Sequence, residues 1–276
     1  MSLLTILRGG GDLASGVALR LHRAGFEVLI TELPEPLVVR RTVAFAEAVF
    51  SAKVRIEDVQ ACLAANLDQA IALLRLGCIP VLIDPSGALV SEIRQSRSPR
   101  QPVVLVDARM TKQTPVVQVD SVDLLLGLGP GFIAGENCHA VIETKRGHRL
   151  GRVIWVGGGE NDTGVPEAIL NSGPERVLRA PANGKLITYA RIGDHLEKDQ
   201  LVAEVSGEQV LAPLKGVLRG LLHPGIRVWR GLKLGDVDAR DDPKYCHLVS
   251  DKSLAVGGGV LEAILSREDL RPFLWT

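Results

Sequence analysis

The start of the chain contains a glycine motif that suits the binding of a phosphate group. Gly9, Gly10 and Gly11 lead to Ala14, which gives the spacing Gly9-x-Gly11-x-x-Ala14 that is typical of dinucleotide-binding loops. Glycines let a backbone approach a phosphate closely, and the amides at a helix start bind it. Glu32 stands 21 residues after Gly11, where a carboxylate accepts hydrogen bonds from a ribose hydroxyl. The motif predicts a nucleotide site, and a tight turn that binds nothing is the alternative interpretation.

Two aspartates bear on this hypothesis. Asp12 directly follows the glycines, and a carboxylate there repels phosphate if it points inward. It could instead cap the helix, or bind a hydroxyl group or a metal ion. Asp84 precedes Pro85 after an apolar run, and we interpret it as a turn or capping residue.

Further polar residues follow two other apolar runs. Asp107 and Lys112 belong to a mixed-charge segment, and both are predicted to contact the ligand. Gly129 and Gly131 form a second glycine-rich loop, which either cradles a ligand or simply turns the chain. Because strand ends meet at one edge of a parallel sheet, these residues are expected to lie beside the Gly9 loop.

The segment 143–148 offers groups for acid–base chemistry and anion binding. Glu143 and His148 are candidate catalytic residues, since a carboxylate and an imidazole both exchange protons. Arg146 is a candidate phosphate contact, because its guanidinium can grip two oxygens at once. A solvated hairpin turn is the alternative interpretation. No metal site is predicted, since Cys138-His139 and Cys246-His247 are adjacent pairs without ligand spacing.

The elements that position these residues follow an alternating pattern. An apolar run at 3–7 ends at the glycines, a helical stripe begins at Leu13, and Gly25 precedes a second run at 26–31. Further strands are predicted at 79–83, 102–106 and 122–126, and a helix at 56–76. The pattern predicts an α/β fold with a Rossmann-like parallel sheet, forming a nucleotide-binding domain over residues 1–150.

The remainder of the chain contains an internal repeat. Ala180-Pro181-x-x-Gly184-x-Leu186 returns 32 residues later as Ala212-Pro213-x-x-Gly216-x-Leu218. The repeat predicts a small duplicated all-β domain, barrel-sandwich-like, over residues 179–240. Glycine-rich residues 151–178 are predicted to be a linker. Residues 241–276 are predicted to carry another glycine loop, at 257–259, and a helix.

Composition limits the partners. Lys plus Arg and Asp plus Glu both total 32, and aromatic residues make up 4%, which argues against a nucleic-acid binder. No apolar run approaches ~20 residues, so no membrane span is predicted. The chain shows no signal-type start and its four cysteines are far apart, which together lead us to expect a cytoplasmic protein with reduced thiols.

Several segments together resemble a known family. These are RGGGDLASGVALRLHRAGFEV, LGLGPGF, VIETKRGHRLGRV, the RAPANG repeat, LGDVDAR and SDK…GGGVLEAIL. In this order they are similar to the YqeB-type proteins of the selenium-dependent molybdenum hydroxylase system. The resemblance implies an accessory protein whose partner is a molybdenum hydroxylase, and it supplies no reaction or catalytic residues. The repeat resembles biotinyl and lipoyl barrels, but its junction at 205–210 lacks the carrier lysine.

We therefore expect an accessory or maturation protein that binds a nucleotide or a pterin-dinucleotide cofactor. The cofactor is expected to be NAD(P) or a molybdopterin-type nucleotide. Two alternatives stay open: an NAD(P)-dependent oxidoreductase and a non-catalytic docking scaffold. The sequence does not decide whether any reaction is catalysed.

Overall fold

A computed structural model describes residues 3–96, 101–110, 119–161 and 174–274. Lys112, one of the predicted ligand contacts, lies outside the described residues. The chain divides into two compact units. The first comprises Met1–Pro36, Phe45–Asp162 and Val249–Thr276, and the second comprises Leu37–Ala44 and Thr163–Leu248. No helix in the described part has the length and apolar content needed to cross a membrane.

The first unit contains a nine-stranded sheet. Its strands are β1 (Leu4–Arg8), β2 (Glu27–Glu32), β3 (Lys53–Ile56), β4 (Val59–Ala64), β5 (Ile79–Ile83), β6 (Val103–Asp107), β7 (Leu124–Leu128), β9 (Ala140–Ile142) and β10 (Val153–Ile154). Two short strands, β8 (Ile133–Ala134) and β11 (Gly157–Gly158), pair separately. The helices are α1 (Asp12–Arg23), α2 (Ala48–Ser51), α3 (Leu67–Arg75), α4 (Leu89–Ser96) and α5 (Asp251–Ser266).

The strand order brings seven carboxyl ends to one edge. The order is β10-β9-β7-β6-β1-β2-β5-β4-β3, and the seven inner strands run parallel. Only β3 and β10, at the two edges, are antiparallel to their neighbours. The chain leaves β1 through β2 on one side and returns as β6 on the other, so the connection changes direction between β1 and β6. Open α/β sheets bind ligands at such a point. The α/β class is confirmed.

The unit β1-α1-β2 follows directly from the sequence pattern. The apolar face of α1, including Ala14, Val17 and Leu21, is buried. Gly25 then takes a left-handed φ of 87°, which ends the helix and returns the chain to the sheet.

Two segments differ from the sequence expectation. The predicted helix at 56–76 begins only at Leu67, because Val59–Ala64 forms strand β4 between β3 and β5. Asn66 starts the helix by accepting a hydrogen bond from the Gln69 amide over 2.9 Å. Pairing with β5 therefore overrides the helical propensity of the two alanines and the leucine in β4.

The predicted glycine loop at 257–259 lies inside helix α5. Its glycines serve packing: a Cβ on Gly257 would lie 2.7 Å from the Gly16 carbonyl oxygen of α1. A Cβ on Gly16 would lie 2.5 Å from the Ser253 carbonyl oxygen. The small residues let α1 and α5 approach closely, and this contact outweighs the low helix propensity of glycine.

The predicted linker 151–178 is partly structured. β10 and β11, within it, belong to the first unit, and a further strand begins at Val177 in the second. These strands are two or three residues long, which is too short to show an alternating hydrophobic pattern in the sequence. The C-terminal residues from Val249 onward belong to the first unit.

The described part of the second unit contains two four-stranded antiparallel sheets. Its strands are β12 (Val177–Arg179), β13 (Gly184–Thr188), β14 (His195–Leu196), β15 (Leu201–Val205), β16 (Glu208–Leu211), β17 (Gly216–Leu221), β18 (Arg227–Val228) and β19 (Lys233–Asp238). The sheet orders are β12-β19-β17-β14 and β16-β15-β13-β18. A shift of 32 residues places the starts of β13, β14 and β15 on those of β17, β18 and β19.

Hydrogen bonds repeat with the same shift. Gly193 donates to the Leu218 carbonyl over 2.9 Å, and its equivalent Gly225 donates to the Leu186 carbonyl over 2.8 Å. Each half thus binds the other in the same manner. The repeat read from the sequence corresponds to a repeat in strand topology.

Candidate functional site

The loop between β1 and α1 requires glycine at two positions. Gly9 has a left-handed φ of 98°, and a Cβ there would lie 3.4 Å from the backbone of Ala108 and Arg109. A Cβ on Gly10 would lie 2.9 Å from the Ala46 amide nitrogen. The loop is therefore held between the end of β6 and the segment that precedes α2.

Gly11 leaves the start of α1 open. It is the N-cap residue, no side chain caps the helix, and a Cβ at this position would meet nothing within 4 Å. By contrast, side chains of Asn66 and Ser250 cap α3 and α5. The first amides of a helix have no acceptor within it, so an uncapped start attracts an anion. Ala14, also predicted to contact the ligand, is buried in this first turn.

Glu32 anchors the glycine loop. Its Oε2 accepts a hydrogen bond from the Gly10 amide and its Oε1 accepts one from the Leu33 amide, both over 2.7 Å. Burial raises the pKa of the Glu32 carboxyl group, while the two amide hydrogen bonds lower it. The carboxylate stands at the end of β2 as predicted, and contact with a ribose hydroxyl stays a prediction.

Asp107 orients an arginine at the same edge. Its carboxylate is 1% exposed and accepts hydrogen bonds from Arg109 Nε over 2.9 Å and Arg109 Nη2 over 2.5 Å. The Arg109 side chain remains 29% exposed. Because β6 neighbours β1, the backbone of Arg109 lies beside Gly9, and the charge of Arg109 acts on Arg8 at the end of β1.

Arg8 is a cation of the site that sequence reasoning missed. It ends β1, pairs with Asp107 across the sheet, and donates from Nη2 to the Ser86 carbonyl over 3.3 Å. Burial, followed by the charge of Arg109, lowers the pKa of Arg8. The carboxylates of Asp107 and Asp84 act in the opposite direction and favour the charged form of Arg8. The signal in the sequence was an arginine directly before the glycine loop.

Asp84 organises the loop beside Arg8. Its Oδ1 accepts hydrogen bonds from the amides of Gly87 and Ala88, and its Oδ2 accepts one from the Leu89 amide at the start of α4. This is the turn and capping role expected of it from the sequence.

The starts of α1 and α5 lie side by side. Ser253 Oγ of α5 donates a hydrogen bond to Asp12 Oδ1 of α1 over 2.9 Å. Arg146 pairs with Asp251, the first residue of α5, with Nη1 and Nη2 lying 2.5 and 2.8 Å from the Asp251 oxygens. Arg146 is thus linked to the glycine-loop region through α5.

Glu143 and Gly129 build the edge next to β9. Glu143 is fully buried, and its two oxygens accept hydrogen bonds from the amides of Lys145 and Glu160, both over 2.7 Å. Gly129, with φ of 75°, packs against the Thr144 hydroxyl group. Glu143 therefore fixes two loops, and its use as a catalytic acid or base stays a prediction.

His148 and Gly131 lie at more peripheral positions. His148 is exposed, and its carbonyl accepts a hydrogen bond from Arg152 Nε over 3.2 Å. Gly131, with φ of 93°, turns the chain and accepts a hydrogen bond from Asn137 Nδ2 over 3.0 Å. The catalytic role of His148 and the ligand contact of Gly131 stay predictions.

The structure thus brings together a glycine loop, an uncapped helix start and two arginines where β1 and β6 end. This arrangement defines a mixed α/β protein whose candidate site suits an anionic group. The chain is similar to "Uncharacterized protein YqeB" of Escherichia coli K12, with 44% identity over 262 residues. The match covers 95% of this chain and 47% of that protein, so the chain spans about half the length of this curated relative. The similarity supports assignment of the chain to the YqeB family.

Other comparisons add little. No family model matches the chain. An aspartoacylase family protein from Mesorhizobium loti aligns with 86% of this chain and 84% of its own, at 12% identity and a TM-score of 0.27. The ectoine utilization protein EutE (DoeB) from Ruegeria pomeroyi aligns with 85% and 87%, at 10% identity and a TM-score of 0.25. Neither similarity carries an argument about fold or function.

Proposed function

We propose that the carboxyl edge between β1 and β6 binds a phosphate-bearing ligand of the nucleotide or pterin-dinucleotide class. The observation that carries the proposal is the start of α1, where Gly11 provides no capping side chain and leaves open space. A phosphate there accepts hydrogen bonds from the amides of the first helical turn. The Gly10 amide is engaged by Glu32, so the binding amides are those from Gly11 onward.

The charge of the site is local. The chain has no net charge, with 32 cationic and 32 anionic residues, so an anion must be held by nearby groups. Among the described residues, Arg8 and Arg109 are cations near the loop, and Asp107 and Asp84 offset part of the charge. The Arg109 guanidinium remains accessible enough to take a phosphate oxygen.

We further propose a Rossmann-like description for the first unit and a barrel-sandwich-like one for the second. The parallel β1-α1-β2 unit with its glycine turn supports the former. The two equivalent four-stranded sheets support the latter. Under this proposal the second unit is not a carrier domain, since the turn between β15 and β16 contains Ser206 and Gly207 rather than lysine.

As the biological role we propose an accessory function in the maturation of a molybdenum hydroxylase. This role is supported by the resemblance of the motifs to YqeB-type proteins. An NAD(P)-dependent oxidoreductase stays the alternative, since the glycine loop and Glu32 at the end of β2 also fit a dinucleotide. The buried carboxylate of Glu143 accepts a backbone amide at each oxygen, which favours a structural role over catalysis.

Thermal unfolding with a panel of ligands tests the binding proposal. The panel contains NAD, NADP, CTP, ATP and molybdopterin cofactors, with adenosine and cytidine as phosphate-free controls. We expect at least one phosphate-bearing compound, and neither nucleoside, to raise the unfolding temperature, since a ligand bound only by the folded state stabilises it. No shift with any compound would leave the docking scaffold as the better hypothesis.

Coexpression with a molybdenum hydroxylase tests the biological role. We expect hydroxylase activity to depend on the chain and to be lost with Arg109→Gln. His148→Gln is the matched control for an exposed residue, and we expect it to preserve maturation. If both variants abolish maturation without loss of folding, His148 takes part in a reaction and the binder hypothesis fails.

A further inference from the structure

Two cysteines of the first unit lie in contact. Cys62 is in β4, and Cys78 directly precedes β5. The parallel pairing of these strands, with Ala61 opposite Ile79, brings the two thiols together. Their sulfur atoms are 2.9 Å apart, although helix α3 separates the residues in the chain.

Gln60 holds the two thiols in place. Gln60 Nε2 donates a hydrogen bond to Cys62 Sγ over 3.4 Å, and Cys78 Sγ donates to the Gln60 carbonyl over 3.3 Å. The single Cys78 S–H proton is shared between this carbonyl and Cys62 Sγ. The contact is therefore fixed by neighbouring backbone and side chains, rather than by a chance rotamer of one cysteine.

The two sulfurs differ in their surroundings. Cys78 is 7% exposed, whereas Cys62 is partly exposed. Burial, followed by the hydrogen bond to Cys62, raises the pKa of Cys78 to about 12, so its thiol stays protonated at neutral pH. A dissolved oxidant consequently reaches Cys62 first.

We infer that Cys62 and Cys78 form a reversible disulfide, oxidised by a hydroperoxide and reduced by a thiol. The inference is independent of the proposed ligand site. Cys78 directly precedes β5, whereas Asp84 directly follows it. The thiols therefore lie at the opposite end of β5 from the sheet edge that carries the proposed ligand site.

The chemistry balances in two steps. The Cys62 thiol attacks the peroxide O–O bond, which yields Cys62 sulfenic acid and one molecule of water when the oxidant is hydrogen peroxide. Cys78 Sγ then attacks the Cys62 sulfur, the S–O bond breaks, and the hydroxyl group leaves as water with the Cys78 proton. Two electrons pass from the thiols to the peroxide, and a thiol reductant returns them by exchange.

The geometry requires little movement. A disulfide bond is about 2.05 Å long, so the sulfurs need to approach by roughly 0.9 Å. The Cys62–Cys78 disulfide would join β4 to the residue before β5 and enclose α3 in a covalent loop. Such a loop restricts the unfolded chain, so the oxidised protein is expected to unfold at a higher temperature.

Peptide mapping of the full chain tests the inference. Trypsin separates the cysteines, since Cys62 lies in peptide 56–75 and Cys78 in peptide 76–94. After hydrogen peroxide treatment and alkylation of free thiols, we expect a disulfide-linked pair of these peptides. Dithiothreitol should release them. Recovery of both peptides alkylated, or with sulfinic acid and no linked pair, would overturn the inference.

Variants separate the pair from the other thiols. Cys62→Ser and Cys78→Ser should each abolish the linked species and the gain in unfolding temperature. Cys138→Ser and Cys246→Ser, at buried cysteines, should preserve both. A linked peptide that involves Cys138 or Cys246 in the wild-type protein would also contradict the inference. Nucleotide affinity is expected to be the same in both redox states, so failure here and failure of the ligand proposal are distinguishable.

Discussion

Ser253 Oγ donates a hydrogen bond to Asp12 Oδ1 over 2.9 Å, although 241 residues separate the two in the chain. The contact joins the first turns of α5 and α1. It also accounts for Asp12, whose carboxylate accepts from a buried serine beside the glycine loop. The chain's last long helix is thus part of the scaffold that holds the candidate site.

The α1–α5 contact predicts that alanine destabilises the protein at Gly16 and stabilises it at Gly258. Gly16→Ala should lower the free energy of unfolding by about 2 kcal/mol, because its Cβ would lie 2.5 Å from the Ser253 carbonyl oxygen. Gly258→Ala is the matched control, since a Cβ there meets nothing within 4 Å and alanine favours a helix by ~1 kcal/mol. Urea unfolding of both variants checks the prediction. Equal effects would contradict the close packing of the two helices.

The second unit contains a buried ion pair between Arg176, which precedes the repeat, and Asp236 in its second half. Arg176 Nη1 lies 2.5 Å from Asp236 Oδ2, and both side chains are less than 10% exposed, at 9% and 4%. Asp236→Asn should lower the free energy of unfolding by about 3 kcal/mol, because it leaves Arg176 buried without its counter-charge. The repeat supplies the control: Glu204 is the equivalent residue and is partly exposed. Glu204→Gln should cost less than about 0.5 kcal/mol.

His139 predicts a pH dependence of stability. Its Nδ1 accepts a hydrogen bond from the Leu125 amide over 2.8 Å, and burial, followed by the charge of Arg267, lowers the pKa of His139 below 6.5. The unfolded chain therefore binds more protons than the folded one in this range. The contribution of His139 to the free energy of unfolding is therefore fully present above pH 6.5, and it is lost as the pH falls through the pKa of His139 in the folded protein.

Urea unfolding between pH 7.5 and 5.5 checks this sign. His139→Gln retains an acceptor without a titrating group, so its free energy of unfolding should decline less with falling pH than that of the wild-type protein. A variant that declines as steeply would show that His139 does not contribute to the slope.

Much of the first unit is predictable from the sequence because local signals agree there. The apolar run, the glycines, the stripe from Leu13 and Gly25 all indicate β1-α1-β2, and the structure has these elements. Strand β4 is different, since its two alanines and its leucine fit a helix equally well, and pairing with β5 decides the outcome. The glycines at 257–259 mislead for a similar reason, because their role depends on contact with α1.

The candidate site was predictable in its loop but less so in its charges. Three consecutive glycines at 9–11 indicate a turn from the sequence alone. Glu32 and Asp107 lie at strand ends as expected. The pairing of Asp107 with Arg109 and the inclusion of Arg8 depend on the order β6-β1-β2, which the sequence does not reveal. Arg146 pairs with Asp251, 105 positions away in the chain, and its contact with a phosphate stays a prediction.

Calorimetric titration of Gly11→Val tests the central claim most directly. The titrant is the compound that stabilises the wild-type protein most in the ligand panel. Gly11 has φ of −69° and open space around its Cβ position, so valine fits the fold while its side chain occupies the place where phosphate would approach. Gly258→Val is the control, at a glycine with equally open surroundings in α5. We predict an affinity loss of about tenfold or more, or ~1.4 kcal/mol, for Gly11→Val alone. Wild-type affinity in a folded Gly11→Val variant would contradict a phosphate site at the start of α1.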